Sequence, residues 1–377
     1  MPDKSDLRQR QALPLRAKVL MTQNRIREWY NHWNGDVCIS FSGGKDSTVL
    51  AHLVHDLYPD VPMVFSNTGL EYPEIQTFAR KMGAEFVRPK MLFSEVISKY
   101  GYPIISKEVS QTIYYARRIK NGEAGLETIR RRNDLTANAE NPRETVPAGF
   151  KTTEYCQRML QGRSGISKDG RILDEEKEIR WENKKCGKRN QLIVNMTQTT
   201  ETGVVKTSIF NKDKWLPLCQ EAQFGISGKC CGVIKKSPLK QYQHRTGRYP
   251  FIGTLTDESK MRENAWLKNG CNAFESKSPS SQPLSFWLEQ DILRYIKDNG
   301  LEIASVYGEI VSVDKDGFGY DALPGCEYEL KCTKCQRTGC IFCGFGAHLD
   351  KGETRFQRLA KTHPKQYEYC MMGGAMG

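Results

Sequence analysis

The chain has 377 residues, of which 38% are hydrophobic and 27% charged, and it carries a net charge of +12. That length suits one large α/β domain with additions, or two domains, and no apolar run approaches the roughly 20 residues that cross a bilayer. The charged stretch Met1 to Leu20 does not read as an export signal, so a cytoplasmic protein with no membrane partner is expected, and the basic surplus suits a polyanion such as a nucleotide, RNA or DNA.

Residues 1–35 read as a helical lead-in, with Leu20, Met21, Ile26 and Trp29 as apolar points between about Leu15 and Trp33. Residues 36–114 alternate strand and helix, with strands at 36–41, 61–66 and 85–88 and helices at 46–57 and 74–82. This pace of alternation predicts an α/β fold, a parallel Rossmann-like sheet with helices on both faces. Ligands in such sheets bind beyond the carboxyl ends of the strands. Residues 115–214 are polar and basic, with Arg117, Arg118, Lys120, Arg130, Arg131 and Arg132 in one run and Lys184, Lys185, Lys188 and Arg189 in another. They read as an insertion for a substrate or partner, with short strands about Leu192 to Met196 and Val204 to Ile209. The core resumes over 215–310. There Ser285 is expected to cap a helix whose apolar face runs from Phe286 and Trp287 through Ile292, Leu293, Tyr295 and Ile296 to a stop at Gly300. Residues 311–377 form a cysteine-rich C-terminal region.

The most informative stretch is Ser42-Gly43-Gly44-Lys45-Asp46-Ser47-Thr48, between the first strand, with Ser40 near its end, and the first helix. Gly43 and Gly44 permit a sharp turn and a close approach to an anion. Amides at the helix start point at that anion, and the helix dipole favours its charge. Lys45 adds a mobile cation, and Ser42, Ser47 and Thr48 add hydroxyls. The spacing excludes a Walker loop, which needs G-x-x-x-x-G-K-[ST]. One strand and one helix later, Asn67-Thr68-Gly69-Leu70-Glu71 places hydroxyl and backbone groups for a nucleotide, with Glu71 for a ribose hydroxyl or a magnesium-bound water.

Ser-Gly-Gly-Lys-Asp-Ser resembles the PP-loop of the ATP-pyrophosphatase superfamily, which includes the phosphoadenosine-phosphosulfate (PAPS) reductases. Thr68 to Glu74 looks like that family's Thr-Gly-x-x-x-Pro-Glu segment. Ser106-Lys107-Glu108 resembles a basic family segment and implies Lys107 as a phosphate or sulfate contact. Ile252 to Arg262 resembles a nucleotide-facing segment and implies Ser259 and Arg262 in the same role. The resemblance implies ATP, adenylyl sulfate (APS) or PAPS as the ligand. It also implies catalysis about Lys45 and Asp46, and magnesium near Asp46 and Glu71.

Thirteen cysteines, odd in number and closely spaced, point to metal or cluster ligation in place of disulfides. Cys230-Cys231 form a tandem pair, and Cys332, Cys335, Cys340 and Cys343 follow a C-x-x-C-x-x-x-x-C-x-x-C spacing. Such thiolates can converge on a soft metal or an iron–sulfur cluster, and two C-x-x-C pairs also suit tetrahedral zinc. Tandem cysteines followed by Lys235-Lys236-x-Pro-Leu resemble the APS reductase branch. This implies a 4Fe–4S cluster on Cys335, Cys340, Cys343 and Cys230 or Cys231, with Lys235 and Lys236 near its negative charge.

The family's nucleophilic cysteine lies in a Glu-Cys-Gly-x-His tail. Here the tail reads Tyr369-Cys370-Met371-Met372, so Cys370 is the candidate nucleophile without its glutamate and histidine neighbours. That departure, with the basic insertion, looks more like DNA-phosphorothioation relatives. The implied activity is ATP-dependent, pyrophosphate-releasing activation and sulfur transfer to nucleic acid, with a cysteine desulfurase as sulfur donor. The alternatives are a reductase making sulfite from PAPS or APS with thioredoxin, and a regulator that binds nucleotide and DNA without turnover.

Overall fold

From the N-terminus the elements are α1 (Lys4–Gln11), α2 (Leu15–His32), β1 (Val37–Phe41), α3 (Lys45–His55), β2 (Met63–Ser66), α4 (Pro73–Lys81), β3 (Glu85–Val87) and α5 (Phe93–Tyr100). They continue with β4 (Ile104–Ile105), α6 (Lys107–Lys120), α7 (Leu216–Glu221), α8 (Ser237–Thr246), β5 (Tyr249–Ile252), α9 (Lys260–Asn269), β6 (Asn272–Ala273) and β7 (Ser280–Ser281). The last are α10 (Glu289–Asp298), β8 (Ile310–Asp314), β9 (Tyr328–Cys332), β10 (Gly344–Phe345), α11 (Arg355–Thr362) and α12 (Pro364–Met371). In this computed structural model the described residues are 3–120, 215–314, 328–350 and 352–371. The expected strands about 192–196 and 204–209, and the insertion beyond Lys120, lie outside them.

Contacts divide the chain into two units, Met1–Phe93 with Cys231–Phe342, and Ser94–Cys230 with Cys343–Gly377. The first holds a six-stranded sheet in the order β3-β2-β1-β5-β7-β6. All neighbours are parallel except β6, which pairs antiparallel with β7 at one edge. The sheet is therefore α/β and Rossmann-like, as the alternation predicts.

Period-2 alternation sends successive side chains to opposite faces. Val37, Ile39 and Phe41 of β1, with Met63 and Phe65 of β2, join the main core together with Val49, Leu50 and Leu53 of α3 and Ile26 and Trp29 of α2. Cys38 and Val64 face the other way, against Tyr242 of α8. Chain order reverses between β1 and β5. A crevice opens at such a switch point, beyond the strand ends.

One expected element differs. The helix begins at Glu289, not after Ser285, with Leu288 as its cap residue. Leu284, Phe286 and Trp287 are fully buried in a turn ahead of it. Trp287 donates its indole N–H to Thr22 Oγ1 at 2.9 Å, and Ser285 O accepts the Thr256 amide at 2.9 Å. Burial of these apolar side chains on α2 and α9's lead-in overrides the local cap signal. Asp291 supplies the cap instead, accepting the Leu288 amide at 2.7 Å and the Lys18 ammonium at 2.5 Å.

In the second unit β4 and β10 pair in parallel. Gly101 (φ +97°) lets the chain pass so close to Gly225 that a Cβ would lie 2.1 Å from the Gly225 carbonyl carbon. Arg117, one of the basic residues expected to meet a polyanion, instead caps α7. Its guanidinium donates to the carbonyls of Cys219 (2.8 Å), Ala222 (2.8 Å) and Phe224 (2.6 Å). Arg355 hydrogen-bonds Asp350 and holds its carboxyl down at about 2. A depressed carboxylate stabilises the fold above its unfolded pKa and loses that contribution as pH falls through the folded one. Asp350→Asn is therefore expected to destabilise this unit by on the order of 1 kcal/mol at pH 7, after solvent screening. The difference should fade between about pH 4 and pH 2, and paired acid titrations of melting temperature check it.

Candidate nucleotide site

The loop leaving β1 turns at Gly43 (φ +70°), where a Cβ would meet Ile75 Cγ2 at 2.8 Å. Its serines hold the turn. The Ser42 amide donates to Ser47 Oγ (3.2 Å), the two hydroxyls lie 3.0 Å apart, and the Gly44 amide donates to Ser42 Oγ (3.3 Å). Ser47 Oγ and Thr48 Oγ1 both donate to Gly44 O, at 2.9 and 3.0 Å. Gly44 is the cap residue of α3 and offers no side-chain acceptor. The first amides of α3 thus remain available to an anion.

These amides face a cavity of about 320 Å³ lined by Ser40, Ser42, Gly44, Lys45, Asp46 and Ser47 from the first strand and helix. Ile252, Gly253, Thr254 and Leu255 enter from the end of β5, so the cavity sits at the switch point of the sheet. Lys235, Arg262 and Arg337 bring positive charge, and Glu258 and Glu289 moderate it. Lys45 is 6% exposed, donates to Glu289 Oε1 at 3.1 Å and lies 5.5 Å from the Tyr307 ring centroid. Arg262 pairs with Glu258. Burial pushes the Asp46 carboxyl above the usual carboxylate range against the pull of Lys45. Glu289 adds to the rise, and Arg262 and Arg337 oppose it.

The second expected nucleotide segment serves itself. Glu71 is buried, and its two carboxylate oxygens accept the Thr68 hydroxyl (2.7 Å) and the Thr68 amide (3.0 Å). Asn67 Oδ1 accepts the Gly69 amide at 3.1 Å. Asn67, Thr68, Gly69 and Glu71 do not line the cavity. Ser259 does not line it either; it caps α9 and accepts the Arg262 amide at 3.4 Å. Lys107 and Cys370 belong to the second unit. Lys107 opens α6 and is exposed; Cys370 sits half-buried on α12, where burial pushes its thiol up.

Cys231 and Cys340 flank Lys235. Burial works against the Lys235 charge, but Cys340, Glu71 and Cys231 outweigh it and raise its pKa. Cys332 ends β9, where burial pushes its thiol up against the pull of Lys45, while Cys335 Sγ donates to Arg337 O at 2.8 Å. Cys230 and Cys343 belong to the second unit. Among the described residues, no three His, Cys, Asp or Glu side chains converge as a metal site.

Sequence reasoning missed Tyr307, Thr338, Arg337 and Glu289. No local motif signals them, because each reaches the loop from more than two hundred residues away. Thr338 and Arg337 lie inside the cysteine segment, whose spacing pointed only to metal.

A family model described as the phosphoadenosine phosphosulfate reductase domain matches residues 36–157 and 183–344. The chain is 28% identical over 121 residues to a phosphoadenosine 5'-phosphosulfate reductase of Photorhabdus laumondii, covering 32% of this chain and 45% of the relative. It is 29% identical over 103 residues to an adenosine 5'-phosphosulfate reductase of Staphylococcus haemolyticus, covering 25% and 42%. It is 31% identical over 94 residues to an uncharacterized protein of Methanocaldococcus jannaschii, covering 24% and 23%. The chain spans less than half the length of the curated relatives it matches.

Proposed function

Because the chain belongs to the phosphoadenosine phosphosulfate reductase domain family, we propose that its cavity holds the phosphate end of an adenine nucleotide and that the protein is an enzyme acting there. The supporting observation is the convergence of uncapped α3 amides with Lys45, Lys235, Arg262 and Arg337 on one cavity at the switch point. Preorganised donors of this kind stabilise charge that develops on a leaving group.

In the first reading the nucleotide is ATP. An acceptor oxygen, on DNA or RNA, attacks the α-phosphorus; the bond to pyrophosphate breaks and pyrophosphate leaves with the electron pair. The α3 amides and Lys45 receive that charge. A sulfur nucleophile from a donor such as a cysteine desulfurase then displaces AMP. Asp46, in the cavity beside these cations, fits a magnesium ligand, and the metal would neutralise phosphate charge. Glu71 does not fit that role, since its oxygens are taken within its own loop. Cys231 and Cys340 about the Lys235 ammonium suit an anionic iron–sulfur cluster, which would supply a thiolate-ligated redox centre.

The names of the curated relatives favour a second reading, in which APS or PAPS binds. The Cys370 thiolate would attack the sulfate sulfur, the sulfur–oxygen bond would break, and the adenosine phosphate would leave. A dithiol of the thioredoxin class would then release sulfite and become a disulfide.

The test incubates the whole protein, prepared without oxygen, with ATP, APS or PAPS, with and without DNA or RNA. The first reading expects nucleic-acid-dependent pyrophosphate from ATP, unchanged in Cys370→Ser. Sulfite from APS or PAPS that disappears in Cys370→Ser would replace it with the second. No product from any nucleotide would defeat both and leave a binding protein.

A further inference from the structure

The Tyr307 hydroxyl stands at the start of α3. A Cβ on Gly44 would lie 3.4 Å from it. The hydroxyl shares a 2.6 Å hydrogen bond with Thr338 Oγ1, and both side chains line the cavity. The ring itself is 2% exposed and lies under the Lys45 ammonium.

Proton accounting fixes what this pair can do. Two hydroxyls bring two protons, and their mutual bond uses one. Whichever hydroxyl donates to the other, one O–H remains for the cavity. Burial pushes the Tyr307 phenol well above its ordinary pKa, so it keeps its proton at neutral pH. An anion that can only accept is the complementary ligand.

We propose that Tyr307 and Thr338 form a hydroxyl relay that presents one O–H donor to the cavity and binds a phosphate or sulfate oxygen of the nucleotide. The inference rests on the reading that this cavity takes nucleotide phosphates. The pair thus adds a donor beside the glycine loop, next to Gly44. It reads the charged end of the ligand and not the adenosine.

Tyr307→Phe removes only the hydroxyl and keeps the buried ring over Lys45. Titration calorimetry with inorganic pyrophosphate, ATP and adenosine checks the proposal on the whole protein. Pyrophosphate and ATP are expected to bind Tyr307→Phe about tenfold to a hundredfold more weakly, as for a lost hydrogen bond to a charged group. Adenosine binding should not change. Thr338→Val should weaken pyrophosphate by a smaller factor, and Thr338→Ser should restore it. The valine and serine pair carries the test if Tyr307→Phe does not fold. Wild-type binding of pyrophosphate with no loss in the variants overturns the relay, as does an equal loss for adenosine. A wild-type protein that binds neither pyrophosphate nor ATP defeats the parent reading instead.

Discussion

Replacing Lys45 by methionine is expected to lower nucleotide turnover by about a hundredfold to a thousandfold, the usual effect of removing one charge-stabilising donor from an active site. Lys45 opens α3, and packing fixes it: its side chain is 6% exposed, braced by Glu289 and the Tyr307 ring. Methionine keeps the length and apolar stem of the side chain. The Glu289 carboxylate, at 40% exposed, turns to water when its partner goes. Stability should therefore change little while turnover collapses. Product release from saturating nucleotide, beside a urea titration of the same variant, separates the two. Unchanged turnover would remove the loop lysine from the chemistry.

The largest stability effect is expected at Asp291. Its Oδ2 accepts both the Lys18 ammonium at 2.5 Å and the Leu288 amide that opens α10 at 2.7 Å. The Lys18 side chain is only 2% exposed. Asp291→Ala strands a buried cation and uncaps a helix, and should cost about 3–5 kcal/mol. Replacing both partners with apolar residues, Lys18→Met with Asp291→Leu, should recover most of that loss, because no charge is then left unpaired. Urea unfolding followed by tryptophan fluorescence reports it directly, since Trp29 and Trp287 are both buried in this core. A double variant as unstable as the single one would show that helix capping, not charge burial, dominates here.

Much of the first half of the sheet was legible in the sequence. The elements β1, α3, β2, α4 and β3 lie within a residue or two of their expected bounds, because their periods and turns are local. The glycine loop was legible for the same reason: strand, turn and helix start are contiguous. The helix start at Ser285 was misread because Phe286 and Trp287 follow a helical spacing yet are buried in a turn, a decision made by α2 some 260 residues away. The cysteines show the limit of spacing as a guide. Cys332 and Cys340 look equivalent in sequence, but Cys332 ends a strand against Lys45, whereas Cys340 meets Lys235. Glu71 shows a related limit. Its motif was visible, but whether its carboxylate turns outward or back onto Thr68 depends on a buried hydrogen-bonding pattern that no spacing encodes.

The pairing of β1 with β5 has a consequence for how the family can vary. Phe41 ends one strand and Tyr249 begins the other, so the central seam of the sheet closes a ring of about two hundred residues. Ring-closure entropy rises only with the logarithm of length, so halving or doubling that excursion alters the free energy of the seam by about 0.6 kcal/mol. Long basic stretches can therefore be spliced between these strands with little change in the free energy of the seam.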